Sequence, residues 1–151
     1  MRKRKSKKLD LRPTIRIYCE GKTEENYFNM LKQKYHQSNV SVNSRYSECF
    51  DQAKKSRCDI TILFSNICFE VWILMHFEPV TAAYTRKQLF AKLSGEKYFN
   101  EEYSRNKGQK INILRDRIST AVKNANRISS PSDESTKIIK KDPYTNVNLY
   151  L

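Results

Sequence analysis

Residues 14–25, Thr-Ile-Arg-Ile-Tyr-Cys-Glu-Gly-Lys-Thr-Glu-Glu, constrain the fold more than any other stretch of this chain. Ile15, Ile17 and Cys19 alternate with Arg16 and Tyr18, the period of a β-strand. The run ends directly in Glu20 and Gly21, and glycine permits the sharp turn that a strand-to-helix junction needs. Thr23 is the expected N-cap. Glu24 and Glu25 then fall in the first helical turn, where the helix dipole favours negative charge. A strand feeding at once into a helix predicts an α/β domain. Glu20 would stand at the carboxyl end of that strand, where ligands and catalytic groups collect in open α/β sheets. Glu20 and Glu24 converging there suit a hard divalent cation such as Mg²⁺, which takes oxygen ligands. The same acids also fit ordinary helix capping, so the pattern alone leaves both readings open.

At 151 residues the chain has the length of one domain and can bury a core, although only 38% of it is hydrophobic. Nine Tyr, seven Phe and one Trp argue against disorder of the whole chain. The net charge of +13 favours polyanions: nucleic acid, acidic lipid or an acidic partner. Much of it is local. Arg2, Lys3, Arg4, Lys5, Lys7 and Lys8 make residues 1–13 a basic flexible leader, read either as a phosphate-binding arm or as a solubilising end. Lys22, beside the strand-to-helix junction, joins them as a candidate nucleic-acid contact.

Cys19, Cys49, Cys58 and Cys68 form no Cys-x-x-Cys pair, and no His stands at zinc-site spacing. Scattered thiols and no signal peptide predict reduced cysteines in a cytoplasmic protein. The most apolar run, Ile60 to Phe77, is interrupted by Ser65, Asn66, Glu70 and His76. It reads as a buried strand plus helix and not as a membrane span.

Along the chain, the first helix is expected from Thr23 to Tyr35, with Tyr27, Phe28, Leu31 and Tyr35 on its apolar stripe. Ser38–Asn43 alternates as a short strand, Tyr46–Lys55 reads as a helix, and Asp59–Phe64 as a strand rich in β-branched residues. Ser65-Asn66 would cap a core helix from Ile67 to Phe77, stopped by Pro79. Glu70 is the polar exception in that helix. It either faces the strand ends or simply caps the helix and reaches solvent. His76 reads as a hydrogen-bonded core histidine. A short helix is expected at Thr85–Leu93, a surface loop at Gly95–Lys107, and a long helix at Lys110–Arg127. That last helix carries Ile111, Leu114, Ile118, Ala121, Val122 and Ala125 on one face. Ser129–Ser135 is a linker. Asp142-Pro-Tyr-Thr-Asn-Val147 would start a last helix that Leu151 cuts short.

Three stretches together resemble the RloB-like family of prokaryotic proteins: Cys19-Glu-Gly-Lys-Thr-Glu24 followed by Tyr27-Phe28, Ser65-Asn-Ile-Cys-Phe-Glu-Val-Trp-Ile-Leu-Met-His-Phe77, and Asp142-Pro-Tyr-Thr-Asn-Val147. The second is the most specific; Ile67 stands where the family usually has proline. The likeness runs from Thr14 to Leu151. It implies a Toprim-like α/β fold, a small parallel sheet flanked by helices, similar to the nuclease half of OLD-type systems. It also implies a place in phage-defence or abortive-infection loci beside an AAA-type ATPase. By that resemblance Glu20 is the catalytic acid/base and a metal ligand, Glu24 a second ligand to Mg²⁺ or Mn²⁺, and Glu70 a supporting acid. Toprim domains carry a further strand with an Asp-x-Asp motif, and this sequence has none. The chain therefore resembles a member in which one central strand and its acidic pair are missing.

Two functions follow for the domain at residues 14–151. One is a Toprim-type metal-dependent nuclease, its activity impaired by the missing acids. The alternative is a catalytically degenerate subunit that binds nucleic acid or the ATPase without cutting. A decayed gene product with no stable fold is a third outcome, and cooperative unfolding would argue against it.

Overall fold

The computed structural model describes residues 14–19, 21–43, 55, 61–63, 65–132 and 140–151. Strand β1, Ile15–Tyr18, leads through Gly21 into helix α1, Lys22–Lys34, and the chain returns in β2, Val40–Asn43. The strands pair in parallel, Ile15 opposite Val40 and Tyr18 opposite Asn43. This is the β-α-β unit that the opening stretch predicts, and the small parallel sheet belongs to a mixed α/β chain. Within β1, Cys19 just past the strand is buried and Ile17 partly so, whereas Ile15 is exposed.

Helix α1 buries Tyr27, Phe28, Met30 and Leu31. Tyr35, expected on that stripe, is 51% exposed because the helix ends before it. The N-cap is Gly21 and not Thr23. Thr23 is already helical and buried, its side chain turned inward, so it does not cap the helix's own amides. Gly21 has extended dihedrals, φ −128° and ψ 169°, open to any residue. What its lack of a side chain permits is a close approach: a Cβ there would lie 2.6 Å from Glu24 Oε2.

The expected strand Asp59–Phe64 lies partly outside the described residues, and Thr61–Leu63 are not in a strand. Pairing begins two residues later. Ser65–Asn66 forms β3, antiparallel to β4, Tyr144–Thr145. Ser65-Asn66 therefore does not cap a helix. Ser65 Oγ and Thr145 Oγ1 are 2.8 Å apart, Asn66 Nδ2 donates to the Lys141 carbonyl at 2.6 Å, and Asn146 Nδ2 donates to the Ile62 carbonyl at 3.1 Å. These cross-chain bonds use the polar groups that local sequence assigns to caps. They also explain why Asp142–Val147 starts a strand and then a 3₁₀ turn, Val147–Tyr150, in place of a helix. The Tyr46–Lys55 helix falls outside the described residues except for Lys55, which is helical.

Helix α2, Glu70–Met75, is shorter than expected and is the centre of the core. Val71, Trp72, Ile73, Leu74 and Met75 are buried to 1% exposure or less. It packs against α3, Arg86–Leu93, and α4, Ile118–Ala125. Complete burial of large apolar side chains contributes about 2–3 kcal/mol each, so this turn and a half of helix anchors the domain. Helix α3 starts at Thr85 in a capping box: Thr85 Oγ1 accepts from the Gln88 amide at 3.2 Å, and Gln88 Oε1 accepts from the Thr85 amide at 2.8 Å.

The expected long helix is broken. Ile111–Arg117 winds as 3₁₀ and α4 follows after Arg117, whose φ of −109° leaves the helical region. The apolar stripe survives the change: Ile111, Leu114, Ile118, Ala121 and Ala125 are all buried. The segment from Gly95 to Lys107 is not simply a surface loop. Phe99 and Tyr103 are buried, their rings 5.2 Å apart and tilted by 50°, and the cluster continues into Phe77 and Phe90. Among the described residues no helix is long and apolar enough to cross a membrane.

Candidate functional site

The junction after β1 is where the sequence places its chemistry, and the structure brings the first turn of α1 and the first residue of α2 towards it. Glu20 lies outside the described residues, as do Arg2, Lys3, Arg4, Lys5, Lys7 and Lys8. Glu24, in the first turn of α1, folds its carboxylate back over the Gly21 backbone. Its negative charge reaches Cys19. Burial, then the Glu24 and Glu25 carboxylates, push the Cys19 thiol up to about 12. Glu25 itself is held by Lys22, 2.9 Å away in an exposed i,i+3 pair. The basic side chain predicted to contact nucleic acid thus already has an acidic neighbour.

Glu70 is the first residue of α2 and only 5% exposed, which rules out the solvent-reaching alternative. Carboxylates at a helix amino end interact favourably with the backbone dipole. The Tyr103 hydroxyl makes a long 3.5 Å hydrogen bond to Glu70 Oε1 and also meets the Thr23 side chain in α1. Burial and the Glu70 charge raise the Tyr103 phenol well above its usual range, so it remains a proton donor. On the other side of Glu70, Cys68 is pushed up to about 12, by burial first and the Glu70 carboxylate second, with Arg86 acting in the opposite sense. Neither Cys19 nor Cys68 is a thiolate at neutral pH, and both are free cysteines, as the sequence predicts.

Behind this junction lies a polar chain within the core. Tyr27 Oη and His76 Nε2 are 3.0 Å apart, and His76 Nδ1 lies 3.0 Å from the Trp72 carbonyl. A carbonyl only accepts, so Nδ1 carries the imidazole proton and Nε2 accepts from Tyr27. The Trp72 indole N–H is aimed at the Tyr27 oxygen too loosely for a well-formed hydrogen bond. This chain ties α1 to α2 and so fixes Thr23 and Glu24 relative to Glu70. The expectation of a hydrogen-bonded core histidine at position 76 holds.

Glu24 and Glu70 are thus the two predicted acids that the described residues bring to this end of the fold. Among the described residues no group of three His, Cys, Asp or Glu side chains is gathered to hold a metal ion. Mg²⁺ takes near-complete octahedral oxygen ligation, and protonated thiols are poor partners for it. Glu24 and Glu70 therefore fit a hard cation only with a further oxygen ligand, for which the sequence offers Glu20. Sequence reasoning missed Tyr103 and Thr23. The only signal for Tyr103 was an aromatic residue within a polar stretch, and nothing local marks Thr23 as inward-facing.

A family model described as RloB-like protein matches residues 43–151. The chain belongs to the RloB-like family. The match holds the second and third stretches that carried the resemblance, and β3 and β4 join those two in space. It begins at Asn43, so the Cys19–Glu24 stretch lies outside it, and the likeness is narrower than the whole of residues 14–151. No curated protein and no solved structure matches the chain.

Proposed function

We propose that this RloB-like protein is a Toprim-type nuclease of a prokaryotic phage-defence locus, acting on nucleic-acid phosphodiesters with Mg²⁺ or Mn²⁺ and weakened by the absence of an Asp-x-Asp strand. The observation that carries this reading is the buried Glu70 carboxylate, linked through the Tyr103 hydroxyl to the first turn of α1. A buried acid is costly unless it is hydrogen-bonded or coordinates a cation, and here the Tyr103 hydroxyl stands at a long 3.5 Å with the Cys68 thiol, a weak donor, beside it. In this reading Glu20 and Glu24 hold the cation and Glu70 supports them. A bound divalent ion would stabilise charge on the attacking and leaving oxygens of a phosphodiester. Glu20 is the acid/base that moves the proton. Tyr103 and Thr23 hold Glu70 in place, and the protein's 29 Lys and Arg residues favour the substrate backbone.

The second reading is a subunit that binds nucleic acid or an AAA-type ATPase without cutting. It is favoured by the sequence itself, which has no Asp-x-Asp pair to complete the ligand set. Cleavage of plasmid DNA and structured RNA, with Mg²⁺ or Mn²⁺, separates the two. Metal-dependent cleavage that disappears in Glu20→Gln and falls in Glu70→Gln supports the nuclease. Cleavage by the folded wild type no greater than that of Glu20→Gln overturns it. Co-purification with the neighbouring ATPase is then the test of the binding role.

A further inference from the structure

Helix α3 and the loop that follows it enclose an open groove of about 480 Å³. Its lining includes the exposed cations Arg86 and Lys87, the apolar Phe90 and Ala91, and Glu102 and Ser104 from the loop. Lys107 lies 4.3 Å above the Phe90 ring. The acid of the groove, Glu102, is paired with Arg105 at 3.1 Å, so the balance of charge around the floor is positive.

Beneath the groove, Phe90 packs against the candidate site, in which Tyr103 and Glu70 are buried. The Phe90 ring packs 5.6 Å from the Tyr103 ring, whose hydroxyl is at Glu70. Arg86 acts electrostatically on Cys68, two residues before Glu70. Cationic side chains beside a half-buried aromatic floor are what an unpaired strand requires: phosphates for the cations and a base face for the ring. A duplex keeps its bases stacked inside and has nothing to offer Phe90.

We propose that this groove binds single-stranded nucleic acid, with Arg86, Lys87 and Lys107 on the backbone and a base taking the place of the Lys107 ammonium over the Phe90 ring. The inference rests on the nuclease or nucleic-acid-binding reading above and adds where the strand lies and that it is unpaired.

The test is fluorescence anisotropy with a labelled oligo-dT and a duplex of equal length, using the full chain in EDTA. Under these conditions no cleavage occurs, so binding and catalysis fail separately. Wild type should prefer the single strand. Exchanging both cations, R86E with K87E, should weaken it about tenfold or more and make the salt dependence shallower by roughly one phosphate contact's worth or more. Phe90→Leu keeps an apolar floor but removes the ring face, and should weaken the single strand roughly fivefold while leaving duplex binding unchanged. The matched exchange K123E with R127E, exposed near the end of α4, should change affinity far less. Thermal unfolding confirms that each variant is folded. Equal loss in the two double variants, or duplex bound as well as single strand, overturns the groove assignment. So does displacement of oligo-dT by oligo-glutamate with no effect of Phe90→Leu, which would mark an acidic peptide as the occupant. Cleavage absent with single-strand binding retained would remove the nuclease and leave the groove.

Discussion

Acidification should destabilise this protein through His76, over and above what its carboxylates contribute. His76 is 1% exposed, donates from Nδ1 to the Trp72 carbonyl and accepts at Nε2 from Tyr27. A second proton would have to go on Nε2, turning an acceptor into a donor that faces the Tyr27 hydroxyl. Burial is the main cause and Arg117 adds repulsion, outweighing the backbone carbonyls of Trp72 and Ile73. The imidazole is lowered from 6.5 to about 4. Between those values the unfolded chain binds a proton that the folded chain refuses. Stability is therefore complete above the unfolded value and is lost as pH falls towards about 4. The whole gap corresponds to about 3 kcal/mol, of which about 2 kcal/mol is lost between roughly pH 7.5 and roughly pH 5. That is a large share of a small domain's stability. Urea denaturation followed by fluorescence of Trp72, the single tryptophan, measures it directly because Trp72 is part of the network. His76→Gln cannot take up the proton, and its carboxylates titrate as in the wild type. The wild type should lose about 2 kcal/mol more than His76→Gln over that interval. Equal losses in the two proteins would refute the account of a neutral, locked imidazole.

Two further substitutions probe how local structure is held. Thr85→Ala removes the hydroxyl half of the capping box at α3, the acceptor for the Gln88 amide, while the Thr85 amide still donates to Gln88 Oε1; it should lower unfolding free energy by about 1 kcal/mol, measured by chemical denaturation. Gly108 has φ +75°, and an added Cβ would lie 2.5 Å from Asn26 Nδ2. Gly108→Ala should cost about 1–3 kcal/mol, and adding Asn26→Ala should recover only the steric part, visible as incomplete rescue of the melting temperature.

Much of the architecture is legible in the sequence because it is set locally. The alternation at Ile15–Cys19 and Val40–Val42 gives β1 and β2, and the stripe Ile111, Leu114, Ile118, Ala121 marks a core face whether the backbone winds as 3₁₀ or α. Helix α3 carries its own start signal in Thr85 and Gln88. The free state of Cys19 and Cys68 and the core role of His76 were likewise readable, because residue type and neighbouring apolar positions decide them.

What the sequence by itself determined is therefore the α/β character, the β-α-β opening, the apolar helix faces and the family stretches around Glu70 and Tyr144. Only the tertiary structure decided which partner each polar group takes. Ser65 and Asn66 look like helix caps, yet they pair with Thr145 and the Lys141 carbonyl from the far end of the chain. Thr23 looks like a cap and instead turns inward to Tyr103, and Tyr103, in a polar stretch, fills the core and reaches Glu70. The physical reason is common to all three. A hydroxyl or amide has no periodicity to read, and its lowest-energy partner is whatever the packed core of Trp72 and its neighbours brings within reach.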